Sequence, residues 1–108
     1  VTAEMAFPEK VETIKKAILE YGPVATNMTF YKDLDTYTEG IYEWDGKATE
    51  EGGHWVVIVG WYDHFEIKNG GCWICRNSWG PNWGEDGYFR IPYGECGVDD
   101  YWFVYGVY

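Results

Sequence analysis

Apolar side chains recur every three or four residues near the N-terminus, which is the spacing of one face of an α-helix. Five residues form this face: Val11, Ile14, Ala17, Ile18 and Tyr21. Pro8 suits the first turn of a helix, and Gly22-Pro23 prevents a helix from continuing. The pattern therefore predicts an amphipathic helix over Pro8–Tyr21 that buries one face.

Beyond residue 23 the apolar pattern changes to that of β-strands. Over Val24–Phe30 every second side chain shares one face, and over Trp55–Trp61 the run is continuously apolar. A continuous apolar run predicts a strand that is buried on both faces. Three further stretches are predicted as strands: Cys72–Arg76, Tyr88–Ile91 and roughly Tyr101–Tyr108.

Turn-forming residues separate these strands. Asn69-Gly70-Gly71 is a strong hairpin signal. Residues 45–53 are charges and turn formers, which predict a solvated loop. The predicted fold class is α+β, with an antiparallel, barrel-like coiled β-sheet and one N-terminal helix. Residues 1–108 are expected to form one unit without repeats or linkers.

The chain is short, aromatic and acidic. Its 108 residues are 46% hydrophobic and 20% aromatic, which provides enough apolar surface for a core and excludes a disordered chain. The formal charge of −10 argues against nucleic acid and anionic membranes as partners, because both bind basic surfaces. No apolar run is long enough to span a bilayer. Because it starts at Val1 and shows no signal peptide, the sequence is expected to be a processed or truncated chain.

The three cysteines, Cys72, Cys75 and Cys96, do not favour a metal or redox site. Cys72 and Cys75 form a C-x-x-C pattern, but three positions apart on a strand they would point to opposite faces. No further Cys or His lies near them in the sequence to complete a zinc site. We therefore predict no metal and no cofactor. The odd count leaves one thiol unpaired within the chain, or pairs it with another chain.

The stretch Cys72–Ile91, CWICRNSWGPNWGEDGYFRI, is unusually rich in Trp and Gly. Gly is used where the backbone needs positive φ or a close approach, and Trp supplies a large buried area with one polar atom. Asn77 stands where the first strand of this stretch ends, and His54 stands at the start of the apolar strand upstream. A His and an Asn at the ends of two strands suggest a His–Asn pair held by a sheet.

The same segments carry a resemblance to a known family. GGHWVVIVGW, residues 52–61, and the stretch over residues 72–91 resemble the two C-terminal signature blocks of papain-like cysteine peptidases. GPVAT, residues 22–26, resembles the start of the first strand of the same lobe. The resemblance implies that the chain is the β-rich right-hand lobe, which is half of a two-lobed papain-like fold.

The resemblance also implies roles for four residues. His54 would be the general acid/base, and Asn77 would orient its imidazole. Trp79 would cover the His–Asn hydrogen bond and keep water away from it. Trp83 would lie at the leaving-group side of the substrate cleft.

Two further positions are predicted to contact substrate. Gly53 stands where the family usually has Asp or Asn, so the contacts beside the His are expected to differ. Tyr101, five residues after Cys96, falls near the position that floors the main specificity pocket, and a Tyr would shorten that pocket. Cys96 matches a family disulfide position, but residues 46–53 hold no cysteine, so that bridge is expected to be absent.

The nucleophile of the family has no counterpart here. It lies, with the Gln that helps stabilise the oxyanion, on the N-terminal lobe, and no Cys precedes Cys72 in this chain. The predicted function is therefore hydrolysis of peptide bonds in a protein or peptide substrate, with a missing or separate N-terminal lobe supplying the Cys and Gln. The chain alone is expected to be inactive, and the expected location is extracellular or an acidic compartment of lysosomal or vacuolar type.

Two other functions are considered. A non-catalytic papain-like homologue would keep this lobe as a binding or scaffold module. An aromatic-rich β module would bind carbohydrate through exposed Trp and Tyr, but it would not need the string N-S-W-G-x-x-W-G-E.

Overall fold

The computed structural model describes residues 7–104 of the chain. In chain order the helix and strands are α1 (Phe7–Tyr21), β1 (Val24–Tyr31), β2 (Glu50–Asp63), β3 (Gly71–Arg76), β4 (Tyr88–Pro92) and β5 (Trp102–Val104). Short 3-10 turns occupy Lys32–Thr36, Lys68–Gly70 and Glu95–Gly97. Within residues 7–104, none of the helical segments combines the length and apolar character that crossing a bilayer requires.

The five strands form one antiparallel sheet in the order β4-β3-β2-β1-β5. Strands β4 and β5 are its two edges, so the sheet is open and does not close into a barrel. The predicted class, an antiparallel sheet with one N-terminal helix, is confirmed. The β2–β3 hairpin turns where the sequence predicts, because Asn69 and Gly70 adopt φ values of 60° and 91° that suit tight turns.

The core lies between α1 and one face of the sheet. The helix contributes Val11, Ile14 and Ala17, whereas Tyr21, predicted on the same face, is 54% exposed at the helix end. The sheet contributes a larger set of buried side chains: Val24, Met28, Val56, Ile58, Trp73, Cys75, Phe89 and Ile91. Each large apolar side chain buried in this way stabilises the fold by about 1.5–3 kcal/mol.

Strand β2 begins earlier than its prediction. Residues 50–53, predicted as part of a solvated loop, belong to the strand, and Glu50 and Gly53 pair with Tyr31 and Thr29 of β1. These residues are exposed, as expected of a solvated loop, although their backbone pairs with β1. Local polarity therefore predicted their exposure but not their backbone pairing.

The prediction that Trp55–Trp61 is buried on both faces is wrong. Val56 and Ile58 lie in the core, but Trp55 on the opposite face is 47% exposed. The strand is apolar on both faces, yet only one face is covered by α1. The strand predicted from Tyr101 begins one residue later, at Trp102, and residues 105–108 of its predicted range lie outside the described residues.

A buried carboxylate ties the core to the segment before β5. Asp99 is 1% exposed, and its Oδ2 accepts hydrogen bonds from Trp73 Nε1 at 3.1 Å and from the Gly94 N–H at 2.8 Å. Its Oδ1 has no hydrogen-bond partner among the described residues. Burial raises the pKa of the Asp99 carboxyl above its ordinary value, and the two donated hydrogen bonds offset this only in part.

The raised pKa of Asp99 predicts a pH dependence of stability. The folded state binds this proton more tightly than the unfolded state, so the contribution of Asp99 to stability decreases as the pH rises from about 4 through its folded pKa. Asp99→Asn keeps the shape and removes the charge. We expect the free energy of unfolding of the variant, relative to the native chain, to increase between about pH 4 and pH 7. Urea unfolding across that range measures this difference, and a difference that stays constant would contradict the prediction.

Candidate active site

The sheet places His54 at the end of its core face. His54 pairs with Met28 of β1, and it shares a face of β2 with the buried Val56 and Ile58. The core ends at this position, so the imidazole is half-buried rather than enclosed. An apolar strand thus carries a titratable ring to the margin of the core.

Strand β3 places Asn77 beside that ring. Asn77 follows the last residue of β3, which is paired with β2, and its N–H donates to the Gly87 carbonyl at 2.9 Å. The side chain is 5% exposed. Because β2 and β3 run antiparallel, the end of β3 returns to the end of the sheet where His54 lies.

His54 and Asn77 form a direct hydrogen bond, with 2.8 Å between His54 Nε2 and Asn77 Oδ1. The backbone N–H of Ser78 donates to the same oxygen at 2.7 Å. A carbonyl oxygen only accepts, so Nε2 carries the proton in the neutral imidazole. The other ring nitrogen, Nδ1, then holds a free lone pair and makes no hydrogen bond to residues 7–104. The Asn77 Nδ2 is buried and likewise has no partner within that range.

Two aromatic rings pack against the His54 imidazole. The Trp79 ring lies 5.1 Å from the His54 ring between centroids, at an interplanar angle of 33°. Phe30 lies 5.5 Å from His54 and 5.4 Å from Trp79. Apolar rings packed against an imidazole lower the local dielectric, which strengthens the hydrogen bond that the imidazole makes.

Trp83 lies one ring further from His54. It packs edge-on against Trp79 at 5.1 Å, and its Nε1 donates to the Leu34 carbonyl at 3.1 Å. It also contacts Tyr37 and Phe89. Trp83 therefore supports Trp79 through this edge-on contact, and Trp83 itself is half-buried.

Gly53 faces the side chain of Asn27 on the adjacent strand β1. A Cβ built on Gly53 would lie 2.8 Å from Asn27 Oδ1, which is closer than real Cβ atoms approach other heavy atoms. The Asn27 side chain therefore occupies the space that a side chain at position 53 would need. A residue other than glycine at position 53 would require the Asn27 side chain to move.

Tyr101 lies away from the His54 ring. It is 68% exposed and forms an exposed aromatic cluster with Trp55 and Phe103, with ring centroids 6.1 Å and 5.5 Å from Trp55. Trp55 directly follows His54 in β2, so its side chain points to the opposite face of the sheet. The structure thus brings His54, Asn77 and Trp79 together, whereas Tyr101 lies on the far side of β2.

None of the three thiols suits a nucleophile. Cys72 and Cys75 are fully buried, and all three cysteines are free. Burial raises the pKa of each thiol, to about 12 for Cys96 and well above the ordinary value for Cys75. Attack requires a thiolate, and these environments disfavour that form. Within residues 7–104 no group of three or more His, Cys, Asp or Glu side chains is arranged to hold a metal ion.

Phe30 was not among the predicted site residues. It lies outside both signature blocks, and no motif marks it. The alternation over Val24–Phe30 does put it on the face of Met28, the strand partner of His54. Strand register and strand order together would have identified Phe30 as a neighbour of His54.

Sequence comparison identifies the family. Residues 2–105 match the model of the papain family cysteine proteases, so the chain belongs to this family. The relatives it matches include cathepsin B-like enzymes. Cathepsin B-like cysteine proteinase 5 of Caenorhabditis elegans is 43% identical over 97 residues, which cover 87% of this chain and 27% of that protein. Cathepsin B-like CP3 of Giardia intestinalis is 43% identical over 89 residues, which cover 81% of this chain and 29% of that protein.

Solved structures agree with this assignment. The proCathepsin B S9 of Trypanosoma congolense matches with a TM-score of 0.75 at 32% identity, over 84% of this chain and 30% of that chain. Digestive procathepsin L2 proteinase from the larval midgut of Tenebrio molitor matches with a TM-score of 0.68 at 31% identity, over 85% of this chain and 29% of that chain. The fold is papain-like, and the chain spans less than a third of the length of these relatives.

Proposed function

We propose that residues 1–108 are the C-terminal lobe of a papain-like cysteine peptidase and supply the acid/base half of its active site. His54 acts as general acid/base and Asn77 orients it, while the nucleophilic Cys and the oxyanion Gln belong to an N-terminal lobe. The observation that carries this proposal is the 2.8 Å hydrogen bond between His54 Nε2 and Asn77 Oδ1. It directs the proton to Nε2 and leaves Nδ1 as the basic nitrogen.

The proposed reaction uses Nδ1 twice. Nδ1 accepts the thiol proton, and the resulting thiolate attacks the carbonyl carbon of the peptide and forms a C–S bond. The imidazolium then donates that proton to the amide nitrogen as the C–N bond breaks and the amine leaves. In the second half, His54 takes a proton from water, the hydroxide attacks the acyl carbon, and the thiol departs with the proton. Asn77 holds the ring throughout without adding a charge.

The other proposed features follow from the same site. Trp79 shields the His–Asn bond, and Trp83 supports Trp79 beside the leaving-group side of the cleft. Gly53 and Tyr101 are proposed substrate contacts. The substrate is a protein or peptide and no cofactor takes part. The proposed location is extracellular or an acidic compartment of lysosomal or vacuolar type, in keeping with an acidic chain of charge −10.

The isolated chain is expected to be inactive, and addition of the nucleophile lobe is expected to restore activity. The 108-residue chain should not hydrolyse peptidyl fluorogenic substrates, and it should resist an epoxide that labels papain-like thiolates, since Cys72 and Cys75 are buried and the pKa of all three thiols is raised. A chimera that joins the N-terminal lobe of a cathepsin B-like relative to this chain should hydrolyse the substrates and should be labelled by the epoxide. The matched control is the same chimera with its nucleophilic Cys changed to Ala.

The outcomes separate the candidate functions. Peptidase activity of the chain alone, with labelling of one of its own cysteines, would overturn the proposal. A folded chimera that binds peptides but does not cleave them would favour the non-catalytic binding or scaffold module.

A further inference from the structure

Phe30 contacts both rings of the site without belonging to either signature block. Its ring centroid lies 5.5 Å from that of His54 and 5.4 Å from that of Trp79. Because Trp79 also contacts His54 at 5.1 Å, the three rings form a closed triangle. We propose that Phe30 is a positioning residue that holds the His54 imidazole against Trp79, an inference that rests on the proposed function of His54.

One hydrogen bond does not fix the orientation of an imidazole. His54 is attached to its backbone through Cβ and is held by Asn77 at Nε2, near the opposite end of the ring. Rotation about the Cβ–Cγ bond displaces Nε2 less than it displaces Nδ1, and this torsion has a broad minimum in histidine. Packing against the ring therefore decides where Nδ1 points. Trp79 and Phe30 supply that packing, so the nitrogen that must face the nucleophile is held in place.

A bulge in β2 lies opposite Phe30, next to the contact between Phe30 and His54. The register between β1 and β2 shifts between Thr29 and Tyr31, so β2 has one extra residue opposite Phe30. Gly52, in that extra segment, adopts a φ of 100°, a conformation that suits glycine. A bulge of this kind bends the strand and redirects a side chain, and bulges are common next to active sites. Phe30 lies two residues after Met28 in β1, so it shares the face of Met28 at the margin where His54 lies.

Burial alone does not account for a ring at this position. Met28 on the same face is 1% exposed and belongs to the core, whereas Phe30 is only half-buried. An aliphatic side chain would satisfy a purely structural need there. Phe30 instead makes one ring contact to the imidazole and one edge contact to Trp79, and an aliphatic side chain offers neither. Leu at this position should therefore keep the fold and lose the restraint on His54.

The test measures the motion of the His54 ring in the 108-residue chain. Nuclear magnetic relaxation of the Cδ2–H bond gives an order parameter, and we expect a value near that of rigid groups, about 0.85, in the native chain. In Phe30→Leu it should fall towards about 0.6, while backbone order parameters in β1 and β2 stay unchanged. Phe30→Tyr, which retains the ring, should keep the native value. If Phe30→Leu does not fold, Phe30→Met is the second variant without a ring.

The chain contains a matched control. Phe65 stacks on the other histidine, His64, at 4.9 Å and 18°, and it is 88% exposed. Phe65→Leu should alter the signals of His64 and leave those of His54 unchanged. An unchanged His54 order parameter in a folded Phe30→Leu chain would overturn the proposal, as would equal losses in the Leu and Tyr variants.

The chimera separates this inference from the proposed function. There Phe30→Leu should lower kcat about 10-fold and leave KM within about twofold, because misorientation affects the reacting nitrogen rather than binding. An inactive chimera in which Phe30 still orders His54 would overturn the proposed function and leave the positioning contact standing. An active chimera that is indifferent to Phe30→Leu would overturn the positioning role alone.

Discussion

Replacing His54 with alanine is expected to lower kcat/KM of the chimera by at least about 10³-fold. The variant removes both proton transfers and the group that stabilises the thiolate, and among the described residues no other titratable ring hydrogen-bonds to Asn77. The loss should appear in kcat rather than KM, because the imidazole acts on the reacting atoms. Steady-state assays with a peptidyl fluorogenic substrate measure it.

The second histidine provides the control. His64 lies in the loop after β2 and stacks between Tyr62 and Phe65, remote from Asn77 in the strand pairing. His64→Ala should leave kcat/KM within about twofold, the usual effect of a surface substitution. Comparable losses in the two variants would contradict the assignment of His54, since they would indicate a general effect on folding.

Trp73→Ala is expected to destabilise the chain by about 3–5 kcal/mol, the range for removing a large aromatic side chain from a core. Trp73 is 0% exposed, packs against Tyr93 at 4.7 Å and donates its Nε1–H to Asp99. The substitution opens a cavity and also removes one of the two hydrogen bonds to a buried carboxylate. Since domains of this size are stable by only about 5–15 kcal/mol, urea unfolding should show a much lower midpoint or no folded baseline.

An exposed tryptophan tests whether burial is the cause. Trp55 lies on the open face of the sheet and is 47% exposed, so Trp55→Ala should cost less than about 1.5 kcal/mol. Equal destabilisation by the two substitutions would mean that the outer face is covered in solution. A small effect of Trp73→Ala would contradict the core described here.

The elements of the fold that depend only on local sequence patterns were predictable. The apolar spacing over Pro8–Tyr21 and the turn formers at Asn69-Gly70-Gly71 matched α1 and the β2–β3 hairpin to within about a residue, because caps and turns depend on near neighbours. The start of β2 and the exposure of Trp55 were not predictable in this way. Both depend on which other strand or helix lies against the segment.

The residues of the candidate site were likewise predictable only in part. His54 and Asn77 were identified from their signature blocks, and their distance follows from antiparallel pairing of the two strands that carry them. Phe30, and the Asn27 side chain that faces Gly53, belong to a third strand. Strand register and a bulge decide which side chains of another strand lie beside the site. No local pattern in the sequence indicates the register or the bulge.

The sequence by itself determined the elements, the family blocks and the two polar residues of the site, because each depends on residue types at short spacing. Tertiary structure decided the tautomer of His54, since the Asn77 oxygen accepts from both Nε2 and the Ser78 N–H. It also decided which thiols are buried, which face of β2 is covered, and which rings hold the imidazole. These properties depend on contacts between strands far apart in the chain, and only the folded sheet brings those contacts together.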